Sequence, residues 1–151
     1  MKQKTTILRL ILIVLVIGLV TFIFLLSNQP AMQSSNLSNS IASYTLPFID
    51  KICDSDLTLK EWDHMLRKLA HFSLFFFLAI IVVIICKLSR FSWRRASIIT
   101  LLISMGYAIV DESHQLFVVG RGASMRDVAI DSAGAIIGIV VVFIVGRRWL
   151  K

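Results

Sequence analysis

Four residues of this 151-residue chain have types that could do chemistry together: His71, Asp111, Glu112 and Arg121. An imidazole can give or take a proton, a neighbouring carboxylate can orient it, and a guanidinium can stabilise an oxyanion. Arg67, Lys68, Gln115, Arg126, Asp127 and Asp131 supply further charge and hydrogen-bonding capacity of the kind that holds a phosphate or carboxylate. The acids Asp111, Glu112, Asp127 and Asp131 face the bases Arg67, Lys68, Arg121 and Arg126. Such a set is nearly neutral before any cation arrives, so neither a metal nor another cofactor is expected. No Ser or Cys nucleophile signature and no HExxH-type pattern accompanies them, which leaves an enzymatic reading resting on His71 and its neighbours.

The elements that must position these residues are apolar. Hydrophobic residues make up 57% of the chain and charged residues 17%, with a mean hydropathy of +0.83. Four apolar runs, at about residues 7–26, 66–86, 96–118 and 127–145, are each long enough to cross a hydrocarbon core of about 30 Å. This excludes an ordinary soluble domain and predicts an all-α membrane protein with four transmembrane helices in a single domain, residues 1–151. The first run has a basic start like a signal peptide but is longer than the usual apolar stretch, and no small-x-small cleavage pattern follows it. It reads as an uncleaved anchor.

The net charge of +7 is sorted by topology, which removes the motive for nucleic-acid binding. Lys2, Lys4, Arg9, Lys87, Arg90, Arg94, Arg95, Arg147, Arg148 and Lys151 flank the runs on one side. The acids Asp50, Asp54, Asp56, Glu61 and Asp63 fall on the other. By the positive-inside rule both termini are cytoplasmic and the segment of about 30 residues between the first two spans is outside. That segment is rich in Ser and Asn and reads as a loop on the membrane surface. Cys53 belongs to it and Cys86 to the cytoplasmic end of the second span, too far apart for a disulfide. Thr58 and Glu61 have capping-box spacing, so the second spanning helix starts near Leu59.

Ionisable residues within a span cost roughly 2.5 to 3.5 kcal/mol each at a helix centre, so their recurrence needs a reason. His71, Asp111 and Asp131 each stand sixteen positions from a basic anchor, Lys87, Arg95 and Arg147 respectively. At 1.5 Å per residue all three lie about 24 Å above the cytoplasmic side, at one level in the outer leaflet. His64, Arg67, Lys68 and His71 share a helical face, as do Asp111, Glu112 and Gln115. On the last helix Asp127, Asp131, Gly134 and Gly138 form one stripe, where the absent glycine side chains let another helix approach. The acidic face is therefore expected to point into the bundle. The Phe75-Phe76-Phe77 run reads as lipid-facing bulk, and His64 as a solvated interfacial residue.

Three separated motifs then resemble the VanZ-like family. They are Arg67-Lys68-Leu69-Ala70-His71-Phe72, Asp111-Glu112-Ser113-His114-Gln115-Leu116-Phe117, and Gly120-Arg121 followed by Asp127, Asp131-Ser132-Ala133-Gly134 and Gly138. Ser27-Asn28-Gln29-Pro30 after the first span is similar to that family's polar signature there, with Asn28 where Ser is common. Asp131 stands where Asn is frequent. The resemblance covers roughly residues 65–140 and implies bacterial envelope biology, since the family's namesake is associated with resistance to the glycopeptide teicoplanin. Its polar signature falls on Lys68, His71, Asp111, Glu112, Gln115, Arg121, Asp127 and Asp131.

The resulting expectation is a multi-pass protein of a bacterial cytoplasmic membrane, with no nucleic-acid partner and with homo-oligomerisation left open. Its polar pocket would face the extracytoplasmic side and bind the headgroup of a membrane lipid or lipid-linked cell-wall precursor, modulating glycopeptide susceptibility. Two rivals are an enzyme acting on such a headgroup, with His71, Asp111, Glu112 and Arg121 catalytic, and a small transporter subunit. A transport path is disfavoured because the polar residues stop at one depth. The bland alternative is an ion-pair network that fixes how the helices dock.

Overall fold

The computed structural model describes residues 2–53 and 56–148, giving backbone alone at Lys2, Leu37 and Cys53. Asp54 and Lys151, used in the charge distribution above, lie outside the described residues. Among the described residues five helices follow one another: α1 (Lys2–Ser27), α2 (Ala31–Cys53), α3 (Leu59–Leu88), α4 (Trp93–Gln115) and α5 (Met125–Gly146). Among the described residues there is no strand, and α1, α3, α4 and α5 are long and apolar enough to cross a membrane. These four correspond to the four apolar runs. Large apolar side chains such as Val14, Leu102, Ile137 and Ile144 remain exposed along them, as a lipid-facing surface requires.

The segment expected to be a surface loop is instead the helix α2. Its inward stripe is made of Ala31, Ser34, Ser38, Ala42 and Thr45, residues small enough to lie against α3. Ala42 is fully buried, and Trp62 Nε1 donates to Thr45 Oγ1 at 2.8 Å. The reason for α2 lies in the length of α3. Thirty residues at 1.5 Å each span about 45 Å, some 15 Å more than a hydrocarbon core. About three turns of α3 thus project beyond the core at its N-terminal end, and α2 sheathes them.

That end of α3 starts as its capping box dictates: Thr58 accepts from the Glu61 amide, while the Glu61 side chain accepts from the Thr58 amide. α3 is the central helix, packed against α1, α2, α4 and α5. Its Phe75, Leu78, Val82, Val83 and Cys86 form the main core with Ile23, Ala96, Ala108, Val128 and Val142. Phe75 is fully buried, against the expectation for its run, and its ring lies 5.9 Å from that of Tyr107; Phe77 alone of the three is largely exposed. Successive helical residues are 100° apart, so a run of three phenylalanines cannot face lipid together. Tyr107 also donates to Val20 O at 2.7 Å, tying α4 to α1. At the other end of α3, Lys87 donates to Phe91 O and stands 4.6 Å over the Trp93 ring, closing the turn into α4.

α3 and α5 make the most extensive helix pair. Lys68 pairs with Asp127, His71 faces Asp131, Phe72 lies against Gly134 and Phe76 against Gly138. Both sets of numbers rise together, so the two helices run parallel. The glycines are what allow this contact: a Cβ on Gly134 would stand 2.3 Å from Phe72 O, and one on Gly138 2.5 Å from Phe76 O.

Candidate functional site

The polar side chains gather at one end of the bundle, where α1 and α4 finish and α5 begins. On α3, Asp63 and Arg67 are one turn apart and joined at 3.0 Å, and Ser38 of α2 donates to the same Asp63 carboxylate. One residue on, Lys68 forms its ion pair with Asp127 in the first turn of α5. A turn deeper, His71 Nδ1 stands 3.9 Å from Asp131 Oδ2, beyond hydrogen-bond length. Asp131 is 1% exposed, and neither of its carboxylate oxygens has a hydrogen-bond partner.

α4 contributes a stripe of buried small and polar residues, Ala96, Thr100, Ser104, Ala108, Asp111, Glu112 and Gln115. Asp111 accepts from Ser27 Oγ at 2.8 Å and from Gln115 Nε2 at 3.2 Å, which locks the end of α1 to the end of α4. Glu112 accepts from the Ser124 amide at 2.7 Å. Ser124 is the N-cap of α5 but makes no side-chain cap of its own, so a carboxylate from a different helix sits where the α5 dipole favours negative charge. Arg121, in the link between α4 and α5, donates Nη2 to Leu26 O at 3.3 Å in the last turn of α1. Burial, and then the charge of Arg67, pull the Arg121 pKa below its ordinary value, while Asp111 and Glu112 pull it back up. A guanidinium so placed keeps its proton. Gly120 holds the link in a left-handed conformation, φ +77°, with Ala31 close above it; the Ala31 amide donates to Val119 O.

These groups line a cavity of about 380 Å³. Arg67, Lys68, His71, Glu112, Gln115, Arg121, Asp127 and Asp131 are on its wall, together with apolar Leu26, Ile41, Leu74 and Ile130. Asp111 lies behind the wall, held by Ser27 and Gln115. Arg126 is not on that wall: it is exposed and lines an adjoining, mostly apolar groove with Trp62, Met65, Leu69 and Phe72, while His64, Lys68 and Ile130 line both. Arg126 and Asp127 are adjacent, hence 100° apart, and here Asp127 is the one turned to Lys68. His64 is exposed, Ser113 bonds back to Ile109 O, and His114 meets Asn28 Oδ1 at 3.2 Å outside the cluster. Among the described residues no group of three or more His, Cys, Asp and Glu side chains is placed to hold a metal ion. Gly134 and Gly138 pack against α3 and touch no polar group of the cavity.

Sequence reasoning marked Ser27 and Gln29 only as part of a polar signature after the first span, and missed Ser34, Ser38 and Asp63 as site residues. Ser27 and Asp63 are as buried as Asp111, and the others line the cavity. The signal was present in the small residues at Ala31, Ser34, Ser38, Ala42 and Thr45, a helical repeat inside a segment whose Ser and Asn content otherwise suggests a loop.

The fold and cavity define a multi-pass helical membrane protein with a polar cluster built at one end of its bundle. A family model described as VanZ/LLP1 matches residues 12–146, nearly the whole chain, and the protein belongs to that family. No curated protein matches it. No solved structure matches it either.

Proposed function

We propose that the cavity receives the phosphate-bearing headgroup of an envelope lipid or lipid-linked wall precursor, and that this binding modulates glycopeptide susceptibility, with teicoplanin as the first glycopeptide to test. In this reading the protein sits in a bacterial cytoplasmic membrane with the cavity on the extracytoplasmic side. The observation that carries it is the joint lining of one cavity by Arg67, Lys68 and Arg121 and by apolar side chains of α1, α2, α3 and α5. Guanidiniums match phosphate oxygens in geometry and charge, and the apolar wall suits the start of a lipid tail. A scaffold that merely docks four helices has no use for such a volume.

A second reading makes the protein an enzyme on that headgroup. Its specific support is His71 beside Asp131, a buried carboxylate with its hydrogen-bonding capacity unspent. Asp111 and Glu112 are engaged by Ser27, Gln115 and Ser124, so Asp131 is the better placed to orient the imidazole.

The deciding experiment is purification of the full chain from bacterial membranes in mild detergent, followed by mass spectrometry of the retained lipid. Stoichiometric retention of a phosphate-bearing lipid that is lost in Arg121→Gln supports the headgroup reading. Retained lipid identical in composition to the bulk membrane, and unchanged in the variant, overturns it. A chemically modified headgroup appearing with the parent but not with His71→Ala selects the enzyme.

A further inference from the structure

The charges on the cavity wall are not evenly cancelled. Asp63 and Asp127 are taken up by Arg67 and Lys68, Glu112 accepts from a backbone amide, and Asp111 accepts from Ser27 and Gln115. Asp111 keeps one buried oxygen, Oδ1, without a partner behind the wall, and two groups on the wall itself are left over. Arg121 has no carboxylate within ion-pair distance among the described residues; its guanidinium donates to the Leu26 carbonyl. Nearby Arg67 adds a buried Nε with no acceptor. At the other pole Asp131 is buried with both oxygens unpartnered, and the charges within range of it are the acids Asp111, Glu112 and Asp127 against the one lysine, Lys68, and His71. A buried acceptor without a donor, on the wall of a cavity large enough for several heavy atoms, is a place where a ligand donor belongs.

We infer that the cavity takes a zwitterionic headgroup, with its phosphate on Arg121 and Arg67 and a primary ammonium on Asp131. This rests on the headgroup reading and narrows it to one chemical class, of which phosphoethanolamine is the simplest member. An anionic headgroup would fill the arginine pole but bring no positive charge to Asp131. A quaternary ammonium would bring charge without the N–H that Asp131 lacks.

The test uses the full chain in nanodiscs of a neutral glycolipid doped with one phospholipid at a time, with retention read by native mass spectrometry. Phosphatidylethanolamine is expected to be retained about tenfold over phosphatidylglycerol, the scale of one charge-assisted hydrogen bond. Retention should fall stepwise through the N-methyl and N,N-dimethyl lipids to phosphatidylcholine. This series needs no variant and so does not depend on one folding. Asp131→Asn should erase the preference while leaving phosphatidylglycerol unchanged, and Arg121→Gln should weaken both lipids. Soluble phosphoethanolamine competing at equal concentration makes the free ester the ligand. Competition in large excess makes it the lipid, and both outcomes support the bipolar site. Equal retention of all five headgroups overturns the zwitterion but not the headgroup reading; no retention of any of them overturns both. A preference that survives Asp131→Asn means that Asp131 is a protonated acid serving the bundle, and overturns the ammonium assignment.

Discussion

The carbonyl oxygen of Phe72 occupies the space that a side chain on Gly134 would need, 2.3 Å from where its Cβ would be. This contact sets the distance between α3 and α5 one turn below the His71 and Asp131 pair, so the packing of the bundle and the shape of the cavity are one structural fact.

Gly134→Ala should therefore lower stability by about 1 to 3 kcal/mol, because the clash is with backbone that cannot rotate away. Gly138→Leu should do at least as much against Phe76 O. Gly106→Ala is the control, since nothing lies within 4 Å of its Cβ position, and helix propensity alone predicts no loss. Thermal unfolding in detergent and membrane abundance measure all three; equal melting of Gly134→Ala and Gly106→Ala contradicts the packing.

Ser27→Ala removes the hydroxyl donor from Asp111 and should cost about 1 to 3 kcal/mol. Combined with Asp111→Asn, the two losses should not add, because both act on one hydrogen bond between α1 and α4. Strict additivity in the double-mutant cycle argues against the contact.

Asp111→Asn, His71→Ala and Arg121→Ala separate a working cavity from a scaffold. Expressed in a Gram-positive host, the parent is expected to lower teicoplanin sensitivity, and the three variants to lose the effect at near-normal membrane abundance. Loss that tracks abundance returns these residues to structural duty. Retention of protection by all three defeats the cavity as its source.

Orientation is read by a membrane-impermeant maleimide on intact cells. Cys53 should be labelled and Cys86, a buried thiol near the C-terminal end of α3, should be spared. The reverse pattern inverts the molecule.

Much of this was legible in the residues. Hydropathy marked the four spans, the Thr58 and Glu61 spacing marked the start of α3, and counting from the basic anchors brought His71, Asp111 and Asp131 to one level. The stripe of Asp127, Asp131, Gly134 and Gly138 identified the inward face of α5. All of these depend on distance along one helix or angle around it, which the order of residues determines by itself. Tertiary structure decided which faces meet. It gave His71 the partner Asp131 instead of Asp111 or Glu112, because α3 runs beside α5 while the acids of α4 are drawn to Ser27 and Ser124. It turned Arg126 outward and Phe75 inward, which spacing along one helix does not direct. Above all it made α2 a helix from serines and asparagines that favour loops, with Pro47 inside it. The projecting turns of α3 gave that segment a surface to pack on, and packing outweighed propensity.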